Sequence, residues 1–447
     1  MANELDKILI KEGQKGFPWK LGQLRGELMR DAVFGPTDKE IGQVNEIIAN
    51  VHERGDEAVA EFTEKFDGVK LTPEQFRISE AELNNAHKAI DKKLLKSIRQ
   101  AIKNVKEYQS KIFIGKDKNF KTTGIRYTPI KRVGICVPGA SAPLLSTVIM
   151  TAVPALVAGV KEIVIVSPPR YNGSIHPVIL AVCQELQNQY TKKSRKIEVY
   201  RIGGAQAVAA LSLGTENITH VSKIVGPGNK WVQTAKQCLS GFGFVGIDSA
   251  AGPSEVLIIA NDKAKPVWVA ADMLSQAEHD PGSAILLTDS LKLAKQVLKE
   301  LKRQIEDLGR AEKTKECLLK YSKIAVFDHM DDVIDCANSF ASEHLEIQCG
   351  EESEAITKKI ENAGAIFIGD YSPVAVGDYW AGPSHTLPTG RTARFSSALT
   401  SNDFVKSISI IEYDKKKLAA SADDIIRLAE AEGLDAHARS VRIRQQK

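Results

Sequence analysis

Thr37 and Glu40 stand three residues apart immediately ahead of Ile41, Val44, Ile47, Ile48 and Val51, a spacing that predicts a capped helix with one apolar stripe. Ser79 and Glu82 repeat the device before Leu83, Ile90, Leu94, Ile98, Ile102 and Val105, so the chain to about Ile112 reads as helices laid on something larger. From Lys131 the period changes. Short β-branched runs at 132–137, 162–167, 196–202 and 223–226 alternate with helical segments, and a second series follows at 255–260, 284–288, 323–327, 345–348 and 365–369. That alternation is the mark of parallel βαβ construction and predicts two successive α/β units. A Gly- and Pro-rich stretch to Pro388 and a terminal helix from about Ala422 past Ala438 complete the pattern. The predicted divisions are a helical part at 1–130 packed on the second α/β unit, the first unit at 131–240, the second at 241–370, and a C-terminal loop and helical arm at 371–447.

Length and composition narrow the class. At 447 residues the chain is long enough for two or more compact cores, and 43% hydrophobic with 26% charged residues is a globular composition. The net charge of +4 is spread along the chain, which gives no basic face for nucleic acid, and the runs Lys192–Lys196 and Lys415–Lys417 read as solvated loops. Six scattered cysteines without a CxxC pair point to a reducing cytoplasm. Residues Met1–Lys20 lack the apolar core of a secretory signal. The apolar stretch Leu144–Val160 contains Ser146, Thr147 and Pro154 and falls short of the roughly 20 residues a membrane span needs, so it reads as a buried helix.

Four segments carry candidate chemistry. In Ser275-Gln276-Ala277-Glu278-His279, Gln276 and His279 are three apart, so on a helix an amide and an imidazole share a face and can converge on a cation, although such pairs are more often surface or capping residues. Glu343 and His344 place a carboxylate beside an imidazole where a helix gives way to a strand, a place where ligands bind in α/β sheets; the plain alternative is a helix end with a favourable histidine. The loop Gly377-Asp378-Tyr379 to Gly382-Pro383-Ser384-His385 can fix polar side chains without periodic structure. Glu432 and His437 are five apart, so they reach one site only if the helix ends or bends between them, which Gly433 permits. No GxGxxG fingerprint is present. The turns Gly203-Gly204-Ala205-Gln206 and Gly226-Pro227-Gly228-Asn229 each follow a strand and open a helix, so their N–H groups can meet an anion, or they can be simple connections.

Together these segments, with Ala251-Gly252-Pro253-Ser254-Glu255, resemble the histidinol dehydrogenase family over essentially the whole chain. The resemblance implies two incomplete Rossmann-like units, a C-terminal arm exchanged in a homodimer, and two NAD-dependent oxidations of L-histidinol, through the aldehyde, to L-histidine. It implies one zinc per subunit held by Gln276, His279, Asp378 and His437, which also face the substrate. Ser254, His344, His385 and Glu432 are further substrate contacts by the same likeness, and Cys136, Gln206 and Asn229 are cofactor contacts. His344 is then the base for the hydroxyl proton, and Glu343 activates the water that hydrates the aldehyde. Four departures bear on cofactor pose and substrate choice: Cys136 where relatives often carry tyrosine, Ala140 for a turn glycine, Ser249-Ala250 for Met-Pro, and Ser384 for asparagine.

Two other readings compete. A related zinc dehydrogenase of another small diol, such as a sulfonated propanediol, shares the metal and the two steps, but Glu432 suits a cationic amino alcohol better than a sulfonate. A non-catalytic metal- or nucleotide-binding relative has no need of both Glu343 and His344. A cysteine-based aldehyde dehydrogenase is disfavoured, since no cysteine stands beside an activating group.

Overall fold

The structure is a computed structural model that describes residues 4–18, 20–23, 36–139, 143–190, 195–249, 254–279 and 282–446. Ala140, Ala250, Ala251-Gly252-Pro253, Pro281, most of the 192–196 basic run and part of the N-terminal 1–20 stretch lie outside them. Two compact units emerge, one of residues 4–113 and 130–404 and a smaller one of 114–129 and 405–446.

The larger unit holds two parallel sheets of the same winding. The first runs, in spatial order, Lys196–Tyr200, Glu162–Val166, Arg132–Cys136, Lys223–Val225 and Gly246–Ile247. The second runs Lys323–Val326, Gly282–Thr288, Ser254–Ala260, His344–Gln348 and Ala365–Ile368, with the N-terminal strand Leu9–Lys11 added outside Lys323–Val326. Arg132–Cys136 lies at the centre of the first sheet and Ser254–Ala260, the first strand of the second α/β series, occupies the corresponding place in the second; the winding reverses beside each. Every residue of Arg132–Cys136 and Gly282–Thr288 is buried, as expected for parallel strands covered on both faces.

The predicted caps are in place. Thr37 accepts from the Glu40 N–H at 3.3 Å while Glu40 returns a carboxylate to the Thr37 N–H at 2.8 Å, and Ser79 and Glu82 do the same. Such a cap is worth about 1 kcal/mol. Behind it Val44, Ile47 and Val51 are buried. The second stripe is two helices rather than one: Asp91 accepts from the Leu94 N–H at 2.8 Å and starts Lys92–Ile112 anew after Glu80–Ala89. These N-terminal helices lie on the first α/β half, not the second as their sequence suggested. Asp38–Asp67 packs on Gly204–Leu213, Glu80–Ala89 on Pro177–Tyr190, and Lys92–Ile112 on Leu145–Ala158. Their stripes find the helices that cover the first sheet, while the N-terminal segment joins the second, through the strand Leu9–Lys11 and the buried Leu5, Ile8, Phe17 and Leu21.

Helix Leu145–Ala158 is buried along almost its whole length, as read from its composition. Among the described residues no helix is long and apolar enough to cross a membrane. The smaller unit is an antiparallel ribbon, Val405–Ile411 against Thr123–Pro129 against Lys118–Asn119, with helices Lys415–Ala431 and Asp435–Arg442. Its strands were not read from the sequence.

Candidate active site

The site is built on the amino-terminal edge of the second sheet. His344 is the first residue of its strand, and its register partners are Val256 and Ala365. The general expectation for α/β sheets puts ligands at the carboxyl ends of strands, so Glu343 and His344 sit at the opposite end from the one that made them candidates. Both are buried. The His344 Nδ1 lies 3.0 Å from the Glu255 carbonyl oxygen, to which it donates when the ring is neutral; that fixes the tautomer and leaves Nε2 as the lone-pair nitrogen. Nε2 is buried, has no hydrogen-bond partner among the described residues, and lies 3.7 Å from Asp378 Oδ1. Glu343 Oε2 accepts the Glu255 N–H at 2.8 Å and stands 3.4 Å from His344 Nδ1. Burial opposes the charged form of His344, but the Glu343 and Asp378 carboxylates outweigh it and raise its pKa well above the usual histidine value. Burial pushes the Asp378 pKa up, yet His344, with His385 and His279 beyond it, brings it below the ordinary aspartate value.

Gln276 and His279 come from the end of helix Pro266–Ala277, just ahead of strand Gly282–Thr288 and so at the same sheet edge. Gln276 is 2% exposed and its amide nitrogen has no hydrogen-bond partner among the described residues. Ser254 begins the central strand at that edge. Asp378 belongs to the short helix Val374–Tyr379. His385 lies within 3.1 Å of the Ser146 hydroxyl, at the start of the buried helix that follows strand Arg132–Cys136, and burial lowers its pKa. The neighbouring Ser384 points away, donating to the Met150 carbonyl at 2.9 Å.

The two glycine turns lie at the carboxyl ends of first-sheet strands, one after Lys196–Tyr200 and one after Lys223–Val225. Gln206 is fully buried, and neither end of its amide has a hydrogen-bond partner among the described residues. Gly226 has φ 103°, and a Cβ there would collide with the Cys136 carbonyl oxygen, so this turn admits only glycine. Asn229 spends its side-chain oxygen as an N-cap, accepting from Trp231 and Val232 N–H groups at 3.2 Å each. Cys136 is 5% exposed and burial pushes its pKa up to about 12. The thiols of Cys183 and Cys349 are pushed up to about 12 in the same way, so none of the three is a thiolate nucleophile.

Glu432 and His437 are in the smaller unit and are both exposed. The helix breaks between them as their spacing required: Lys415–Ala431 ends, Gly433 adopts φ 71°, and Asp435–Arg442 begins.

A profile of the histidinol dehydrogenase family matches residues 36–445. The chain belongs to the histidinol dehydrogenase family. It is 47% identical over 408 residues to the histidinol dehydrogenase of a Synechococcus strain, covering 90% of this chain and 92% of that one. With the Geobacillus kaustophilus histidinol dehydrogenase it shares 43% identity over 437 residues, 96% of this chain and 99% of the other. The crystal structure of histidinol dehydrogenase from Elizabethkingia anophelis superposes with a TM-score of 0.86 at 34% identity, over 98% of this chain and 97% of that one. Membership makes the chain an NAD-dependent oxidoreductase of mixed α/β fold, as its motifs suggested.

The donor set implied by the histidinol dehydrogenase likeness fits what the side chains offer. Among the described residues no three His, Cys, Asp or Glu side chains form a cage by themselves. The set that likeness implies, Gln276, His279, Asp378 and His437, includes an amide, which such a count leaves out. Gln276 is buried with its amide nitrogen unspent among the described residues, and Asp378 is held as a carboxylate beside imidazoles.

Sequence reasoning missed several groups. Glu255 is buried, accepts the Gly390 N–H at 2.9 Å, and is pushed up to about 7 by burial and then by the Glu343 charge. Lys236 is fully buried and joins Asp248 Oδ1 at 2.5 Å and the Gly226 carbonyl at 3.0 Å, while Asp248 accepts the Gly226 N–H at 2.7 Å. For Glu255 the signal was present, a charged residue at the head of the apolar run Val256–Ala260, which is buried and so must be partnered; Lys236, between Ala235 and Gln237, stands in no such run.

Proposed function

We propose that this chain is a zinc-dependent histidinol dehydrogenase that oxidises L-histidinol twice, through L-histidinaldehyde to L-histidine, with two NAD. The observation that supports it most directly is the His344 imidazole, donating through Nδ1 to Glu255 and facing Asp378 with an unpartnered Nε2. Gln276, His279 and Asp378, with His437 of a partner subunit, hold the metal. Bound there, zinc supplies a template that fixes the amino alcohol by its nitrogens.

This chain's own residues do the proton work. With the Asp378 charge spent on a cation, one of the two charges that raise His344 is cancelled, and Nε2 is free to take the hydroxyl proton while the carbinol hydride passes to NAD. Glu343, fixed by the Glu255 N–H, draws a proton from the water that adds to the aldehyde carbon. The hydrate then gives a second hydride to a second NAD, so one alcohol and one water yield one carboxylate, two NADH and the released protons. Burial of Glu343 and His344 keeps bulk water from the aldehyde between steps.

Cofactor binding is assigned to the carboxyl end of the first Rossmann-like sheet, where its winding reverses between Arg132–Cys136 and Lys223–Val225. Gln206 brings an unsatisfied amide, and Cys136 and Asn229 flank the Gly226 turn. Ser254, His385 and Glu432 complete the substrate pocket, with Glu432 matched to a cationic amino alcohol. The exchanged-arm homodimer is supported by the smaller unit's own surface: Ile411 is 75% exposed, Leu428 69% and Ile443 56%, more apolar area than an isolated tail would leave in water. Six free cysteines, five of them buried, suit a reducing cytoplasm.

The test is NADH formed from histidinol by the zinc-loaded protein. Turnover supports the reading; no NADH from histidinol, with turnover of a sulfonated diol, sinks it.

A further inference from the structure

Behind the site lies a second carboxyl pair to which the mechanism above assigns no role. Glu346 is two residues along the strand from His344 and 1% exposed; Asp272 is one helical turn before Gln276. Their carboxyl groups are held side by side, both accepting from the one amide nitrogen of Gln348. Two carboxylates held so close repel one another unless one of them carries a proton. Gln348, 3% exposed, braces the pair by donating from Nε2 to Asp272 Oδ2 at 2.7 Å and to Glu346 Oε2 at 3.1 Å. The remaining Glu346 oxygen, Oε1, accepts the Val374 N–H at 3.0 Å. Val374 opens the six-residue helix that ends with Asp378 and Tyr379, and its own N-cap, Pro373, has no side-chain hydrogen bond to offer.

Three elements therefore meet at one buried group. The helix bearing Gln276 and His279 supplies Asp272, the strand bearing His344 supplies Glu346 and Gln348, and the helix bearing Asp378 is gripped by its first N–H. We propose that the Asp272–Glu346 pair, bridged by the Gln348 amide, is the positioning device that holds the metal-binding helices in register with the His344 strand. Burial, and then the neighbouring Asp272 charge, push the Glu346 pKa up to about 8, which keeps that proton in place at neutral pH. Apolar side chains of similar volume would fill this space at less cost than two carboxyls, but they have no fixed direction and cannot reach the Val374 N–H. The distances among ligand-bearing elements are what outer partners of a metal site control.

This inference rests on the zinc reading of the site and is tested apart from it. Zinc affinity by chelator competition, melting temperature, and kcat and KM for histidinol are compared in the purified protein and its variants. Glu346→Ala is expected to weaken zinc binding about 10- to 100-fold and to lower kcat, whereas Glu346→Gln, which keeps a donor toward Asp272 and an acceptor for Val374, stays within about threefold of the parent. Gln348→Met removes the brace alone and shifts zinc affinity in the same direction as Glu346→Ala, which keeps the test intact should the alanine variant not fold. Glu185→Ala, at a buried carboxylate bound to Arg99 and His87, serves as the control that lowers melting temperature without moving zinc affinity. Zinc affinity within about threefold of the parent in Glu346→Ala and Gln348→Met overturns the proposal, as does a Glu346→Gln variant as impaired as the alanine one. Parent protein that binds no zinc defeats the metal reading first, before any substitution is made, and takes this inference with it.

Discussion

His344 holds its Nε2 3.7 Å from Oδ1 of Asp378, a charge contact too long for a hydrogen bond. That gap separates the proton acceptor from a proposed metal ligand, so the two side chains do different jobs and their loss should have different consequences.

His344→Asn removes the lone pair that takes the hydroxyl proton but leaves Asp378, Gln276 and His279 untouched. Turnover is expected to fall by about 100- to 10,000-fold, the usual contribution of a positioned base. Bound zinc, measured by elemental analysis, should stay at the parent level. His437→Asn should instead weaken zinc by more than the roughly 10- to 100-fold that the loss of an outer partner costs. Equal metal loss in the two variants contradicts this division of roles.

Retention of the aldehyde fixes the stoichiometry. Two NADH are expected for each histidinol consumed, followed by absorbance against histidine formed. One NADH per substrate, with free aldehyde trapped by a carbonyl reagent, means that Glu343 does not direct water as described.

Gly226 sits at φ 103° with the Cys136 carbonyl against its α-carbon. Gly226→Ala adds a methyl group where the backbone conformation alone costs about 1–3 kcal/mol. The expected result is a lower melting temperature and a raised KM for NAD, with the KM for histidinol little changed.

The raised pKa of Glu346 has a signature in pH. Glu346 rises on folding from its unfolded value of 4.5 to about 8, through burial and then the Asp272 charge, so the folded protein binds a proton that the unfolded chain releases. Stability from this group is fully present below pH 4.5 and is lost as pH climbs toward 8. Glu346→Gln carries its hydrogens at every pH and lacks that slope. Melting temperatures from pH 5 to 8 should show the variant gaining on the parent as pH rises; a constant difference speaks against a protonated Glu346.

How much of this was legible in the chain depends on how local each signal is. The capping pairs Thr37/Glu40 and Ser79/Glu82 and the β-branched runs were legible because caps and buried parallel strands are written in consecutive residues. The break at Asp91 was not, since an apolar stripe that continues across two helices hides a cap inside it. Strands Thr123–Pro129 and Val405–Ile411 pair across most of the chain, and neither carries a long apolar run. Most candidate residues of the larger unit do gather at one sheet edge, at the amino-terminal end of the strands, which the helix-then-strand order around Glu343 and His344 already implied. Glu255 and Glu346 were overlooked although each interrupts an apolar strand, Ser254–Ala260 and His344–Gln348.

The central claim is that Gln276, His279, Asp378 and His437 close on one metal ion beside His344. Anomalous diffraction at the zinc edge from crystals of the purified protein tests it most directly. The account expects a single zinc peak per subunit, bonded to Gln276, His279 and Asp378 of one chain and His437 of its partner. A peak elsewhere, or one that lacks Asp378 or His437 among its ligands, contradicts it.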